Sequence, residues 1–332
     1  MFRIGLNPYG LAYAVGLQGA GTPRENPLPV GLDGFVHFAQ EIGARTLEIH
    51  GDWLEGHSAP GLAAIRDDCA AHHMTPIVST ALKHQPGESL RTAVSHARAI
   101  GAPVVRLGLT PVLEGSRAAF GPRWLTLVAH ARSTLAREAP RAADAGVTIA
   151  IEDHQDFGSE ELVEMAEAAG PNVGIVFDTG NPFAVGEDPV AFARRAAHRI
   201  RHVHLKDYRA QFTEEGYRLV RCAIGDGAVP FWDIARVLSS HHEELTASIE
   251  PGALEARHIR LFTARWWDGY PPRDAGELGT AIGRLRATRI GDDEPCATPW
   301  ESSAPPDEIV EYELAQVRRS MENMKAFDQG AQ

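Results

Sequence analysis

Short apolar runs alternate with longer amphipathic runs along most of the chain. Eight of the short runs are rich in β-branched residues and predict strands at 2–7, 46–51, 75–81, 103–109, 147–154, 172–180, 201–207 and 245–251. Helical patterns fill most of the gaps, for example at 34–44, 89–102 and 160–170, and many end in glycine, a common helix stop signal. Strands that alternate with helices predict parallel β-α units, and eight units are the number that closes a (β/α)₈ barrel.

The alternation within each strand predicts which side chains enter the barrel. In residues 201–207 the polar side chains of His202, His204 and Lys206 alternate with Val203 and Leu205. Successive side chains of a strand point to opposite faces, so the apolar set would face the helices and the polar set would point inward. The carboxyl ends of the strands form the active-site mouth in this architecture, so inward polar residues near those ends are candidate functional groups.

Four inward residues near the ends of the fifth to eighth predicted strands form the main candidate site. They are Glu152, Asp178, His204 and Glu250. Three carboxylates and an imidazole at one end of a barrel would be unfavourable unless a cation neutralised them. An oxygen-rich set with one nitrogen suits Mn²⁺, Mg²⁺ or Co²⁺ better than an ion that prefers thiolates, and Zn²⁺ is also compatible.

Composition narrows the classes of partner. The net charge of -12 and the pI of about 5.7 argue against a nucleic-acid partner, whose phosphates need a basic surface. The three cysteines share no close spacing and predict neither a disulfide framework nor a thiolate zinc site. No apolar run approaches the roughly 18 residues of a membrane span, so we expect no membrane contact and a cytoplasmic location.

Five short motifs resemble those of a known family when they are taken in order. They are IEDH (151–154), FDTGN (177–181), HVHLKD (202–207), GDG (225–227) and IEPG (249–252). Together they resemble the xylose isomerase-like TIM barrel superfamily, in particular its sugar phosphate isomerase/epimerase branch, which includes the ketose 3-epimerases. The resemblance covers roughly residues 1–252.

The resemblance implies a cofactor and a chemistry. It implies one divalent metal ion, Mn²⁺ before Mg²⁺, Co²⁺ or Zn²⁺, with Glu152, Asp178, His204 and Glu250 as ligands. It also implies that Glu152 and Glu250 serve as the acid/base pair on a keto-sugar or sugar derivative. A metal bound to the carbonyl and the adjacent hydroxyl would stabilise the enediolate that forms when one carboxylate removes a proton.

The sequence departs from the ketose 3-epimerase pattern at two places. Asn181 stands where those enzymes have His, and the Arg that they place beyond the His of strand seven has no clean match near Arg209. The region from IEDHQDF to the GDG motif also resembles a subgroup that acts on oxidised sugars, including 3-oxo-isoapionate decarboxylases. An isomerase or epimerase is therefore the first expectation. A decarboxylase, with Lys206 or Arg106 holding the carboxylate of the substrate, is the alternative.

Residues near the inner strand ends are expected to contact the carbohydrate substrate. This set comprises Asn7, His50, Arg106, His154, Asn181 and Lys206. An apurinic endonuclease is a remote alternative, because it needs more His and carboxylate ligands and residues 226–228 lack its Asp-x-His motif. A non-catalytic sugar-binding barrel would not require both Glu152 and Glu250 beside a metal. The GDG motif is expected to form a tight turn and not a phosphate loop.

The remainder of the chain predicts a C-terminal extension to the barrel. We assign the barrel to residues 1–252 and the extension to 253–332, which contains a Trp-rich stretch at 265–273 and a linker at 291–306. Its last segment carries one apolar helical stripe, formed by Val310, Leu314, Val317, Met321 and Met324. Packing of this stripe against the barrel is favoured over a dimer contact, and a homo-oligomer formed through the extension is left open.

Overall fold

A computed structural model describes residues 2–82 and 88–330 of the chain. Within these residues, eight parallel strands close a barrel in which the last strand pairs with the first. They are β1 (Phe2–Leu6), β2 (Thr46–His50), β3 (Thr75–Ala81), β4 (Val104–Gly108), β5 (Thr148–Glu152), β6 (Val173–Asp178), β7 (Ile200–Leu205) and β10 (Leu245–Ile249). The (β/α)₈ prediction is confirmed, and each barrel strand lies within or beside its predicted run.

Helices surround the strands. They are α1 (Gly31–Glu41), α2 (Ala59–Ala71), α3 (Glu88–Ile100), α4 (Arg123–Asp144), α5 (Ser159–Ala169), α6 (Pro189–Ala196), α7 (Phe231–Ser239), α8 (Ala275–Ala287) and α9 (Pro306–Gly330). Local sequence sets several of the starts. The Asp188 carboxylate accepts the N–H groups of Val190 and Ala191 at 3.0 and 3.1 Å and Pro189 opens α6, a favourable N-terminal combination. The described helices include none that combines the length and apolar character needed to cross a membrane.

Two apolar layers hold the barrel together. Inside it, Ile77, Val104, Ala150 and Val176 form a small cluster below the polar strand ends. Outside it, the alternate residues of the same strands pack under the helices, as where the Phe177 ring stacks on Phe192 of α6 with ring centres 5.0 Å apart. The predicted inward and outward faces are thus confirmed. Burying each large apolar side chain contributes roughly 1.5–3 kcal/mol, so the apolar residues occupy these two layers and the polar groups lie at the carboxyl ends of the strands.

A three-stranded antiparallel sheet interrupts the connection after the seventh barrel strand. It consists of β8 (Asp207–Phe212), β9 (Tyr217–Cys222) and β11 (Arg257–Ile259), and Tyr208 of β8 lies opposite Arg221 of β9. One face of this sheet is buried. It carries Tyr208 and Arg221, while Arg209 and Arg218 on the other face are partly exposed. The hydrophobic pattern predicted no strand between 207 and 245, because the arginines in these short runs conceal the strand pattern.

The GDG motif forms a turn around a buried aspartate, as the sequence predicted. The Asp207 carboxylate accepts backbone N–H groups from Tyr208, Gly225, Gly227 and Val229 at 2.9–3.0 Å. A Cβ atom at Gly227 would collide with that carboxylate, so only glycine fits there. Asp207 therefore fixes the chain between the sheet and α7 and takes no part in the cluster of predicted ligands.

The last helix packs against the barrel. Val317, Met321 and Met324 of its apolar stripe are buried, and the Arg318 guanidinium lies 5.3 Å from the centre of the Phe38 ring of α1. On its other side, the Asn323 amide donates to the carbonyl of Ile224, just before α7. Helix α9 therefore lies between α1 and α7 and completes the ring of helices. The boundary predicted at residue 252, between barrel and extension, lies before this helix. The homo-oligomer expected through this segment stays a prediction.

One buried carboxylate joins α9 to the loops at the barrel mouth. Glu313 accepts the backbone N–H groups of Tyr13 and Ala14, which follow β1, and of Ala253, which follows β10, at 2.9–3.1 Å. The Trp-rich stretch is likewise packed, since the Trp266 indole N–H donates to the Glu114 carbonyl at 3.0 Å. The extension is thus a structural part of the barrel mouth.

Candidate metal centre

The four predicted ligands lie together at the carboxyl end of the barrel. Glu152 ends β5, Asp178 ends β6, His204 lies near the end of β7 and Glu250 follows β10. All four side chains are buried, and one ligand atom from each lies within 4.8 Å of the ligand atoms of the others. The donor set of three carboxylates and one imidazole fits a hard divalent cation. The predicted proximity is thus observed, while metal binding by these residues stays a prediction.

His204 and Lys206 lie between the carboxylates. Nδ1 of His204 is 2.9 Å from Oε1 of Glu152 and 3.1 Å from Oε2 of Glu250. Nζ of Lys206 is 2.5 Å from Oδ2 of Asp178 and 2.7 Å from Oε1 of Glu250. The Arg106 guanidinium pairs with Glu152 from β4. The chain itself therefore neutralises much of the negative charge that would attract a cation.

Burial and neighbouring charges shift the pKa values of the three carboxyl groups, and the net direction differs among them. Burial raises the pKa of Glu152, but the Arg106 guanidinium together with His154 and His204 outweighs burial, and the pKa falls to about 2. Burial acts likewise on Glu250, and Lys206 with His204 outweighs it, so the pKa of that carboxyl lies well below its usual value. The pKa of Asp178 is raised, because burial and the Glu250 charge outweigh Lys206. The two predicted acid/base carboxylates are thus held ionised.

Glu48 is a functional candidate that the sequence analysis missed. It lies on the inner face of β2, is buried, and its Oε2 is 2.8 Å from Nε2 of His204. The Glu48, Glu152 and Glu250 carboxylates outweigh burial and hold the pKa of His204 well above its usual value, so both ring nitrogens carry a proton in this structure. A metal at Nδ1 would take the place of that proton while Glu48 still accepts the Nε2–H, the arrangement that metal-binding histidines use. The signal was present, because the strand alternation that points His50 inward also places Glu48 there.

Replacing Glu48 with Ala is expected to weaken Mn²⁺ binding by about 10–100-fold, the usual effect of losing the partner that orients a ligating histidine. Glu48→Gln should lose less, since the amide oxygen still accepts the Nε2–H. Isothermal titration of the metal-free protein with MnCl₂ measures both. Glu55→Gln, at an exposed position shortly after β2, is the control. Unchanged affinity in Glu48→Ala would contradict the positioning role.

The predicted substrate contacts fall into two groups. Asn7 and Asn181 are buried and already bonded within the protein. Asn7 lies 3.3 Å from Nε2 of His204, and Asn181 donates to the Asp153 carbonyl at 2.8 Å and accepts from Gln155 at 3.1 Å. Arg106 and Lys206 pair with predicted ligands. The contact of all four with substrate stays a prediction.

The second group lines the more open side of the cluster. His50 and His154 are partly exposed, and the His50 ring meets the ring of Tyr9 edge-on with centres 6.1 Å apart. Burial lowers the pKa of His154 to about 4, so its imidazole is neutral near pH 7. His202, one position below His204 on the inner face, bonds Thr246 and Ser248 at 2.8 and 3.1 Å and supports the cluster from beneath.

Comparison with known proteins gives several similarities. A family model described as xylose isomerase-like TIM barrel matches residues 36–260. An inosose dehydratase of Clostridium botulinum is 30% identical over 156 residues, which are 42% of this chain and 51% of that protein. The rhizopine catabolism protein MocC of Rhizobium meliloti is 40% identical over 74 residues, 21% of this chain and 23% of that protein. The chain spans about half the length, or less, of these curated relatives.

Solved structures share the fold at low sequence identity. A D-allulose 3-epimerase from Methylomonas sp. superposes with a TM-score of 0.54 at 14% identity and covers 98% of this chain and 97% of its own. The probable 3-DHS dehydratase AsbF from Bacillus anthracis gives 0.56 at 14% identity, with 86% and 99% covered. These likenesses show the barrel, and the family match spans more than half of the chain. The chain belongs to the xylose isomerase-like TIM barrel family.

Proposed function

We propose that this chain is a divalent-metal-dependent sugar isomerase or epimerase that acts through an enediolate. The observation that carries the proposal is the placement of Glu152 and Glu250, two buried carboxylates that reach the same nitrogen of His204 from different strands. Asp178 completes a set of four possible ligands. A divalent metal bound there would polarise a sugar carbonyl and stabilise the negative charge that develops when the neighbouring carbon loses a proton.

The residues of the chain would supply the proton transfers. Glu152 and Glu250 both have lowered pKa values, so either can accept a proton from the carbon beside the carbonyl. The other carboxylate is ionised as well, so it would first take up a proton from water or from a substrate hydroxyl. Its return of that proton to the opposite face or to the neighbouring carbon would complete an epimerisation or an isomerisation. Glu48 would hold the imidazole of His204, and Arg106 would hold Glu152, so that both keep their orientation during the reaction.

A lyase is the second candidate. The cations beside the cluster favour a substrate that carries a carboxylate, as in the loss of CO₂ from a 3-oxo sugar acid such as 3-oxo-isoapionate. Several of the curated relatives are named inosose dehydratase, which also supports a lyase outcome. Decarboxylation would give the same enediolate by breaking a carbon–carbon bond.

Deuterium exchange separates the two candidates. The Mn²⁺-loaded protein is incubated in D₂O with keto-sugars and with 3-oxo sugar acids, while NMR follows deuterium at carbon and a coupled assay follows CO₂. We expect deuterium to enter a ketose without CO₂ release, and chelation with EDTA to stop the exchange. CO₂ release from an oxo acid would replace the isomerase proposal with the lyase. Absence of bound metal together with indifference to EDTA would leave only a sugar-binding barrel.

A further inference from the structure

The three-stranded sheet over the barrel mouth carries a buried arginine whose hydrogen bonds are incomplete. Arg221 of β9 is 6% exposed, and neither its Nε nor its Nη1 has a hydrogen-bond partner among the described residues. A guanidinium presents five N–H donors, and burying them unpaired is unfavourable. Such a side chain indicates that a further acceptor belongs beside it.

The acidic groups near Arg221 are already engaged. Its Nη2 lies 3.9 Å from Oε1 of Glu250, but that carboxylate pairs with Lys206 at 2.7 Å and with His204 at 3.1 Å. Both oxygens of Glu313 accept backbone N–H groups. Both carboxylates are thus already paired with other donors.

The backbone leaves room beside the guanidinium. Gly252, the last residue of the IEPG motif, has a φ of +60°, and a Cβ atom there would lie 3.2 Å from Nη1 of Arg221. Any other residue at this position would be strained and would crowd the same donor. The glycine therefore leaves the unpaired Nη1 of this buried guanidinium uncrowded by a side chain.

A second guanidinium lies on the same face of the sheet. Arg257 of β11 is opposite Leu219 of β9, and Leu219 and Arg221 are two residues apart, so the three side chains share one face. Within the described part of the chain, the Nε of Arg257 also has no hydrogen-bond partner. Burial and then the positive charge of Arg221 lower the pKa of Arg257, so the charge of each guanidinium acts on the other.

We infer that Arg221 and Arg257 bind a carboxylate of the substrate, so that the enzyme acts on a sugar acid. This inference rests on the proposed function, since it places the carboxylate beside Glu250, one of the two proposed acid/base groups. A planar carboxylate accepts two parallel N–H bonds from one guanidinium, a geometry that Lys206 cannot offer. Lys206 is then left to its two carboxylates, Asp178 and Glu250.

Binding of matched pairs of sugars tests the inference. Isothermal titration of the Mn²⁺-loaded protein compares 2-keto-D-gluconate with D-fructose and 5-keto-D-gluconate with L-sorbose, which differ only by oxidation of one terminal CH₂OH. At least one keto acid should bind about 10-fold or more tightly than its uncharged ketose, as expected for bonds to a charged group. Arg221→Met should remove that preference and Arg221→Lys should retain part of it, with bound Mn²⁺ unchanged in both.

One variant serves as a control, and separate outcomes would contradict the inference and the proposed function. Arg209→Met, on the other face of the same hairpin and paired with Glu294, should keep the preference. Equal binding within both pairs would overturn the inference while leaving the deuterium-exchange result intact. Tighter binding of D-fructose 1-phosphate than of either keto acid would replace the carboxylate with a phosphate and also overturn it. A keto-acid preference without metal-dependent exchange or CO₂ release would support the anion site and contradict the proposed function.

Discussion

Glu250→Gln is expected to lower turnover by about 10²–10⁴-fold, the usual contribution of a positioned acid or base. The amide keeps nearly the same volume but can no longer accept a proton from carbon. It also removes the negative charge that Lys206 and His204 face at 2.7 and 3.1 Å. Steady-state turnover at saturating Mn²⁺, with the substrate found by the exchange experiment, measures the effect.

The control for this variant lies on the same barrel strand. Glu244→Gln changes an exposed carboxylate just before β10, at the end of the strand away from the cluster, where it faces Arg3 at 3.6 Å. Its turnover should equal that of the unchanged protein. Full activity in Glu250→Gln would show that Glu250 is not part of the acid/base pair.

Asp178→Asn is expected to weaken Mn²⁺ binding by more than the roughly 10–100-fold expected for Glu48→Ala. The reason is that Asp178 would bind the metal directly, and the substitution removes its charge. The Asn oxygen can still accept the backbone N–H of Gly180, now at 3.0 Å, so the local turn should persist. Titration with MnCl₂ gives the affinity, and turnover should fall in parallel and recover in part at high Mn²⁺.

Asp153→Asn is the matched control, because Asp153 is a neighbouring buried carboxyl that lies outside the ligand set. One of its oxygens accepts the backbone N–H of Asp178 at 2.5 Å, a bond that an Asn oxygen can also make. Its metal affinity should stay within a few-fold of the unchanged protein. Equal losses in both variants would mean that the effect is structural and not ligation by Asp178.

The strand alternation made the barrel and its main cluster predictable. Apolar residues such as Ile149 and Phe177 have one face to occupy, under the helices, so Glu152 and Asp178 must point inward near the strand ends. The same rule applied to β2 would have found Glu48. Glu48 and His50 are two residues apart on β2 and therefore share its inner face.

Other parts of the site depend on contacts that no local pattern encodes. Arg221 reaches Glu250 from an antiparallel sheet that includes β11. This strand begins at Arg257, 35 residues after β9 ends at Cys222. Lys206 was predicted to face inward, but its pairing with Asp178 depends on the register between neighbouring strands. Long-range pairing and side-chain reach set these contacts, and hydrophobic periodicity carries neither.

The bond between Glu313 and Tyr13 has a consequence for the order in which the molecule is assembled. The two residues lie 300 positions apart, so loop closure over nearly the whole chain must precede their contact. Until α9 docks, the N–H groups of Tyr13, Ala14 and Ala253 lack their native acceptor. The loops after the first and the last barrel strands therefore reach their final form only when α9 docks, and a nascent chain cannot complete its barrel mouth before α9 has been synthesised.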